Sequence, residues 1–258
     1  MKIRILGAGS SAGTPVVGGD WGNCDPKNPK NRRSRPSILV REAGRNILVD
    51  TSPDLRQQLL EAEVSTIDAL LYTHAHADHL HGIDDMRAVN RVMDAWIDAY
   101  ADEATWEHID GRFGYATIPL RPEAKGFFYK PCLTRHDITV GERFDAAGIS
   151  VLPFHQDHGR SKTVGYRIGD FGYSTDVKSL PEESFAALEG VEVWVIGTLQ
   201  PGPYPTHAHV DLALEWIERV GPRLAVLTHL SNQIDYASLS ARLPDGVIVA
   251  YDGLEIAL

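Results

Sequence analysis

Short apolar runs recur along the whole chain: Ile3 to Leu6, Ile38 to Val40, Ile47 to Val49, Ala69 to Tyr72, Ile149 to Leu152, Val164 to Ile168, Val191 to Ile196, Leu224 to Leu227 and Val247 to Tyr251. Their length and β-branched content predict strands. Helical spacing of apolar residues appears at Met86, Val89, Met93, Trp96, Ile97 and Tyr100, again around Phe185 to Leu188, and at Ala213, Trp216, Ile217 and Val220, where Gly221-Pro222 closes the pattern. The first strands are joined by turns such as Glu42-Ala43-Gly44-Arg45, too short for a parallel crossover, so hairpins and therefore mixed sheets are expected.

Several apolar runs give way to a polar or ionisable residue: Asp50 after Val49, His74 after Thr73, Asp176 after Thr175 and His229 after Thr228. One rim of the sheets is therefore expected to carry the chemistry. The chain reads as one α/β domain over residues 1–258, with an insertion near 85–136 that is helical at first and then rich in Gly, Pro and aromatics; it could form a lid or a contact in a homodimer. No internal repeat is visible in the sequence.

The 258 residues, 43% hydrophobic and 23% charged, have the composition of a globular protein. A net charge of -10 argues against long nucleic acid gripped by phosphate contacts and favours a small substrate. Bound divalent cations would add positive charge locally, so an anionic ligand stays compatible with the acidic surface. Cys24 and Cys132 are too few for a disulfide framework and suit a reducing cytoplasm; no run is apolar enough to span a membrane. The basic residues Lys27, Lys30, Arg32, Arg33 and Arg35 form either a solvated loop or an arm guiding an anionic substrate.

The densest signal is Thr73-His74-Ala75-His76-Ala77-Asp78-His79, directly after an apolar run. If His74 and His76 leave a strand end, alternation puts both imidazoles on one side. Asp78 and His79, in the following turn, can then face a second point nearby, an arrangement suited to two adjacent metals. Imidazole and carboxylate donors fit Zn, Mn or Fe, and the lack of thiolates favours catalysis over a structural zinc. The glycines at 7, 9 and 13 lack the spacing of a dinucleotide-binding loop and predict a tight turn near the metals, with Ser10 or Ser11 free to meet phosphate.

The His-x-His-x-Asp-His signature resembles that of the metallo-β-lactamase superfamily, which implies a four-layer αββα sandwich of two mixed sheets. By this resemblance His74, His76 and His158 would hold one ion and Asp78, His79 and His229 the other, with Asp176 and a hydroxide bridging them. His155 competes with His158, which is preferred for the glycine that follows it. Asp50 would orient a ligand histidine.

The opening Gly7 to Pro15, the segment Asn31 to Ser37 and Leu227-Thr228-His229-Leu230-Ser231 are together similar to the phosphoribosyl cyclic phosphodiesterase group of phosphonate breakdown. That group implies hydrolysis of a phosphodiester, cyclic ones included, in a cyclic ribose phosphate or nucleotide. His207 would touch the phosphate or protonate the leaving oxygen, with His209 in reserve, and Asp78 shares the catalytic assignment. The group's best-known members add a structural zinc through several cysteines and a histidine; only Cys24 remains here, with Asn232 at the histidine's place, so that site is predicted empty. Competing readings are a tRNA-processing endonuclease, a thioesterase-like hydrolase, and a non-catalytic metal- or nucleotide-binding protein.

Overall fold

The computed structural model describes residues 1–124 and 126–258; Lys125, within the 85–136 segment, lies outside the described residues. The first half of the chain runs β1 (Lys2–Gly7), β2 (Ser37–Glu42), β3 (Arg45–Val49), α1 (Leu55–Glu61), β4 (Ala69–Leu71), α2 (Ala77–Leu80), α3 (Met86–Met93), β5 (Ile97–Ala101), α4 (Glu103–Phe113) and β6 (Leu133–Asp137). The second half runs β7 (Phe144–Ala146), β8 (Ile149–Asp157), β9 (Lys162–Ile168), β10 (Phe171–Ser174), α5 (Glu182–Leu188), β11 (Val193–Gly197), α6 (Val210–Val220), β12 (Leu224–Thr228), α7 (Tyr236–Ser240), β13 (Val247–Val249) and β14 (Glu255–Ala257).

Two seven-stranded sheets result, in the orders β14-β1-β2-β3-β4-β5-β6 and β13-β12-β11-β10-β9-β8-β7. Their pairing schemes match. In the first sheet the pairings are antiparallel up to β3 and parallel from β3 onwards. In the second they are antiparallel up to β10 and parallel beyond it. The fold thus repeats a topology that the sequence does not advertise.

Alternation along the strands builds the layers. Ile38 and Val40 of β2 and Ile47 and Val49 of β3 point between the sheets, meeting Val151, Tyr166, Tyr173 and Val195 from the other side. Leu39 and Leu48 point outwards, under Leu55 and Leu59 of α1, Met86 of α3 and Trp106 of α4. On the opposite outer face Trp194, Ile196 and Leu227 pack under α5, α6 and α7. Sheets covered on both faces need apolar side chains on both, which is why the central strands read as continuous apolar runs. The result is the expected αββα sandwich.

One expectation is corrected. The helical spacing from Met86 to Tyr100 is broken: α3 stops at Met93, Asp94 takes a left-handed φ of 48°, and residues 97–101 form β5. Ile97, Ala99 and Ala101 face outwards while Tyr100 faces the inter-sheet core, a period of two that three-residue spacing had masked. The 85–136 segment carries β5 and the start of β6, which pair at the end of the first sheet.

The glycines of the opening segment serve close packing. A Cβ on Gly7 would overlap the Arg35 carbonyl, and one on Gly9 would lie 2.7 Å from the Ser34 carbonyl. Ser10 is buried, and its N–H donates to Leu230 O at 3.1 Å, beside His229. Asp252, in the turn before β14, holds this region together by accepting from Ala8 N at 2.8 Å and Ser34 N at 2.6 Å. Burial pushes its carboxyl up to about 6 despite these donors and Arg33.

A carboxyl raised in the folded state stabilises the fold fully below its unfolded pKa of about 4, and that contribution is lost as pH rises through about 6. The stability difference between the native chain and Asp252→Asn should thus move against the native chain by on the order of 3 kcal/mol between pH 4 and 7. Urea midpoints across that range measure it, and a pH-independent difference would show that Asp252 does not titrate there.

Candidate metal centre

The site lies where strand ends of both sheets meet. Thr73 and His74 leave β4, His76 caps α2, and Asp78 and His79 occupy its single turn, which closes by bonds from His79 N and Leu80 N to His76 O. Helix α4 braces the loop from outside: Arg112 donates to Ala75 O at 3.0 Å. The second sheet contributes His158 after β8, Asp176 after β10, His207 between β11 and α6, and His229 after β12. Two bonds stitch the sheets together here, Val164 N to Thr73 O at 2.9 Å and Tyr166 OH to Tyr72 O at 2.6 Å.

Asp50, Asp176 and His229 all have left-handed backbones, with φ of 64°, 48° and 57°. Such a conformation is uncommon for residues with a Cβ and concentrates at functional positions, where surrounding structure holds it. In each case it turns the chain sharply at the end of a strand and directs the side chain into the cluster.

Two groups of four donor atoms form, His74, His76, His158 and Asp176 in one, Asp78, His79, Asp176 and His229 in the other, with the atoms of each group within 4.8 Å of one another. Asp176 belongs to both and divides its oxygens between them. Its Oδ2 faces His74 Nε2 at 3.6 Å and His158 Nε2 at 3.5 Å. Its Oδ1 faces His79 Nε2 at 3.1 Å and His229 Nε2 at 3.0 Å. Asp78 Oδ2 completes the second group, 3.3 Å from His79 and 3.4 Å from His229.

The far ring nitrogens of His74, His79 and His158 are already occupied, while that of His229 is buried without a partner. His79 Nδ1–H donates to Asp50 Oδ2 at 2.6 Å, and Asp50 also accepts from Thr73 N at 2.8 Å and Thr73 Oγ1 at 2.7 Å. The Thr73 hydroxyl is then left to accept from His74 Nδ1 at 3.0 Å, and His158 Nδ1 donates to Thr206 O at 2.7 Å. These partners fix the tautomer that leaves Nε2 unprotonated and aimed inwards. The buried Nε2 atoms of His74 and His79 have no hydrogen-bond partner, a cost that a cation would remove. The donor set, imidazole and carboxylate without thiolate, fits divalent zinc, manganese or iron.

The electrostatics agree with a cation-binding role. Burial holds the His74 imidazole well below its ordinary range and lowers His158 and His76 as well, so these rings favour the neutral, ligating form. Burial acts the same way on His79, but the Asp176, Asp78 and Asp50 carboxylates outweigh it and raise that ring. The Asp176 carboxyl, against the effect of burial, is held well below the usual range by His229 and His79.

His207 joins the cluster although it belongs to neither donor group: its Nε2 lies 3.3 Å from Asp176 Oδ2 and its ring stacks on His229 at 5.2 Å between centroids. His209, in contrast, is the N-cap residue of α6, its side chain making no capping hydrogen bond. His155 lies inside β8 and lines a separate cavity with Lys162, Ser179 and Glu183. Four of the five basic residues are engaged within the fold, Lys27 being exposed: Arg33 is buried and donates to Ile234 O at 2.9 Å, Arg35 pairs with Asp54 at 2.6 Å, Arg32 lies over Trp21, and Lys30 lies over Tyr236 and Tyr251. Around Cys24 the early loop is tied down by hydrogen bonds, from Cys24 Sγ to Ile234 O at 3.1 Å and from Asn232 Nδ2 to Asp20 Oδ2 at 3.1 Å. Sequence reasoning missed Thr73, Thr206 and Arg112, whose roles depend on backbone carbonyls and ring nitrogens that no spacing reveals.

Residues 45–230 match the Beta-lactamase superfamily domain. A crystal structure described as a new diphosphatase from the PhnP family superposes with a TM-score of 0.90 at 32% identity, covering 100% of this chain and 97% of that one. The chain belongs to the metallo-β-lactamase superfamily and, within it, to the PhnP family. It is also 32% identical, over 99% of its length, to a Porphyromonas gingivalis protein named octanoyltransferase, of which it spans only about half, 51%. A ribonuclease Z of Mycobacterium sp. (strain KMS) is 26% identical over 89% of this chain and 84% of its own. Among the described residues no helix is long and apolar enough to cross a membrane.

Asp50→Ala would remove the acceptor for His79 Nδ1 and leave two buried Thr73 donors unpaired. Losing such an outer partner typically costs about 10- to 100-fold in metal affinity. Chelator-competition titration should show that loss mainly at the ion nearer His79; equal affinities at both sites before and after would rule out the orienting role.

Proposed function

We propose that this protein is a metal-dependent hydrolase that cleaves a phosphodiester, cyclic ones included, of a ribose phosphate or nucleotide. The observation that carries this reading is the division of Asp176, one carboxylate oxygen for each of two adjacent donor groups. In this reading His74, His76, His158 and Asp176 Oδ2 hold one divalent ion, and Asp78, His79, His229 and Asp176 Oδ1 hold the other, zinc or manganese first and iron next. Bound there, the ions would supply charge to the phosphoryl oxygens and acidify a water for attack.

The chain's own residues do the rest. His76 is exposed while the other members of the two donor groups are buried, so substrate enters on its side. His207, beside Asp176 yet outside both groups, is placed to hold a proton at Nε2 and give it to the leaving oxygen. Its Nδ1 lies 2.9 Å from Thr206 Oγ1, which fixes the ring's angle. The similarity to a diphosphatase favours a second reading, cleavage of a phosphoric anhydride, in which the same groups act on a bridging oxygen between two phosphates.

The test is a panel offered to the metal-loaded protein: adenosine 2′,3′-cyclic phosphate, ribose 1,2-cyclic phosphate, adenosine diphosphate, a precursor tRNA and a thioester. Turnover of the cyclic or diphosphate substrates supports the reading. Turnover of the thioester alone, or no turnover with both ions bound, sinks it, and tRNA cleavage with steep salt dependence would transfer the assignment to a nuclease.

A further inference from the structure

We infer that Tyr204 is a stacking platform for the base of a nucleotide substrate, so that the site prefers nucleoside-bearing substrates over base-free sugar phosphates. This inference rests on the proposed phosphoester hydrolysis. Aromatic rings form a continuous row across the mouth of the cluster: His76 to His158 at 5.1 Å between centroids, His158 to His207 at 4.6 Å, and His207 to Tyr204 at 5.8 Å. The row starts at the exposed ligand candidate and ends on the Tyr204 ring, which is 40% exposed beyond His207. A base carried by the sugar whose oxygen His207 protonates has that ring within reach.

The loop bearing Tyr204 is built to hold still. Its sequence, Gln200-Pro201-Gly202-Pro203-Tyr204-Pro205-Thr206, brackets the tyrosine with prolines that fix φ and remove donors. Gln200 Nε2 donates to Gly202 O at 3.2 Å and Pro203 O at 3.3 Å, closing the turn from inside. The loop's base is tied by Leu199 N to Ala208 O at 3.0 Å and Ala208 N to Val177 O at 2.6 Å. Its far side rests on the metal cluster: His158 Nδ1 donates to Thr206 O, and a Cβ on Gly159 would lie 2.8 Å from Pro205 O. An aromatic side chain left exposed on a backbone so constrained loses little further freedom on binding a planar ring, the condition under which stacking adds most.

Stacking of a base on an aromatic side chain, read by alanine substitution, corresponds to roughly 5- to 100-fold in affinity, and it tolerates any base because each presents a π-face. The hydroxyl is not required, since it is the ring that meets the base.

The experiment uses the metal-loaded full chain and compares AMP with ribose 5-phosphate by calorimetry, and adenosine 2′,3′-cyclic phosphate with ribose 1,2-cyclic phosphate by KM. The native chain should prefer the base-bearing member of each pair. Tyr204→Ala should reduce that preference by roughly 5- to 100-fold while Tyr204→Phe keeps it. An unchanged preference in Tyr204→Ala, equal weakening of both members, or a loss in Tyr204→Phe as large as in Tyr204→Ala would overturn the inference. The calorimetric arm reads the platform whether or not turnover occurs, so its failure is separable from failure of the hydrolase reading.

Discussion

Asp176→Ala is expected to release both metal ions and bring hydrolysis to background. No other side chain belongs to both donor groups, and removing it leaves three donors on each side. It also removes the one anion faced by five imidazoles, those of His74, His79, His158, His207 and His229, so the cations would meet a pocket of rings without the charge that balances them. Elemental analysis after dialysis should fall from two ions per chain to near none, with circular dichroism confirming a folded sandwich. Retention of one full equivalent would mean that the two groups bind independently and that the carboxylate does not bridge them.

His207→Ala should give the opposite pattern. With two donor groups intact, metal content is expected to stay at two per chain while kcat falls by about 10²- to 10⁴-fold, the usual scale for a positioned proton donor. The loss should grow with the basicity of the leaving group, being smallest for p-nitrophenol esters, whose phenolate departs without a proton, and largest for sugar alkoxides. A uniform loss across leaving groups would point to phosphate binding instead. Metal loss matching that of Asp176→Ala would move His207 into the coordinating set.

How much of this was legible beforehand depended on where each residue sits in the layers. Central strands such as β2, β3, β11 and β12 are buried on both faces, and their unbroken apolar runs announced them. Of the four edge strands only β13 did so. Glu255-Ile256-Ala257, Phe144-Asp145-Ala146 and Leu133 to Asp137 each carry two or fewer large apolar residues, because an edge needs little burial and tolerates polar groups that discourage further pairing. Tyr100 misled the reading of β5 because an inward-facing residue three places from Ile97 mimics a helix turn.

The histidines and aspartates were legible for a different reason: Asp50, His74, His158, Asp176 and His229 stand just beyond strand ends, and four ionisable residues are packed into Thr73 to His79, where chance clustering is rare. What the sequence could not convey was which nitrogen of each ring is free. That depends on Thr73, Asp50 and the Thr206 carbonyl, whose positions follow from the packing of two sheets rather than from any local pattern.

The matched pairing schemes of the two sheets carry a consequence for the aspartates. In each sheet one strand, β3 or β10, has an antiparallel neighbour on one side and a parallel one on the other. Asp50 leaves β3 and Asp176 follows β10, both in left-handed conformation, so the pair are counterparts in two halves of similar design. Their reach differs: Asp176 lies at the centre of the cluster, whereas Asp50 touches it only through the His79 imidazole.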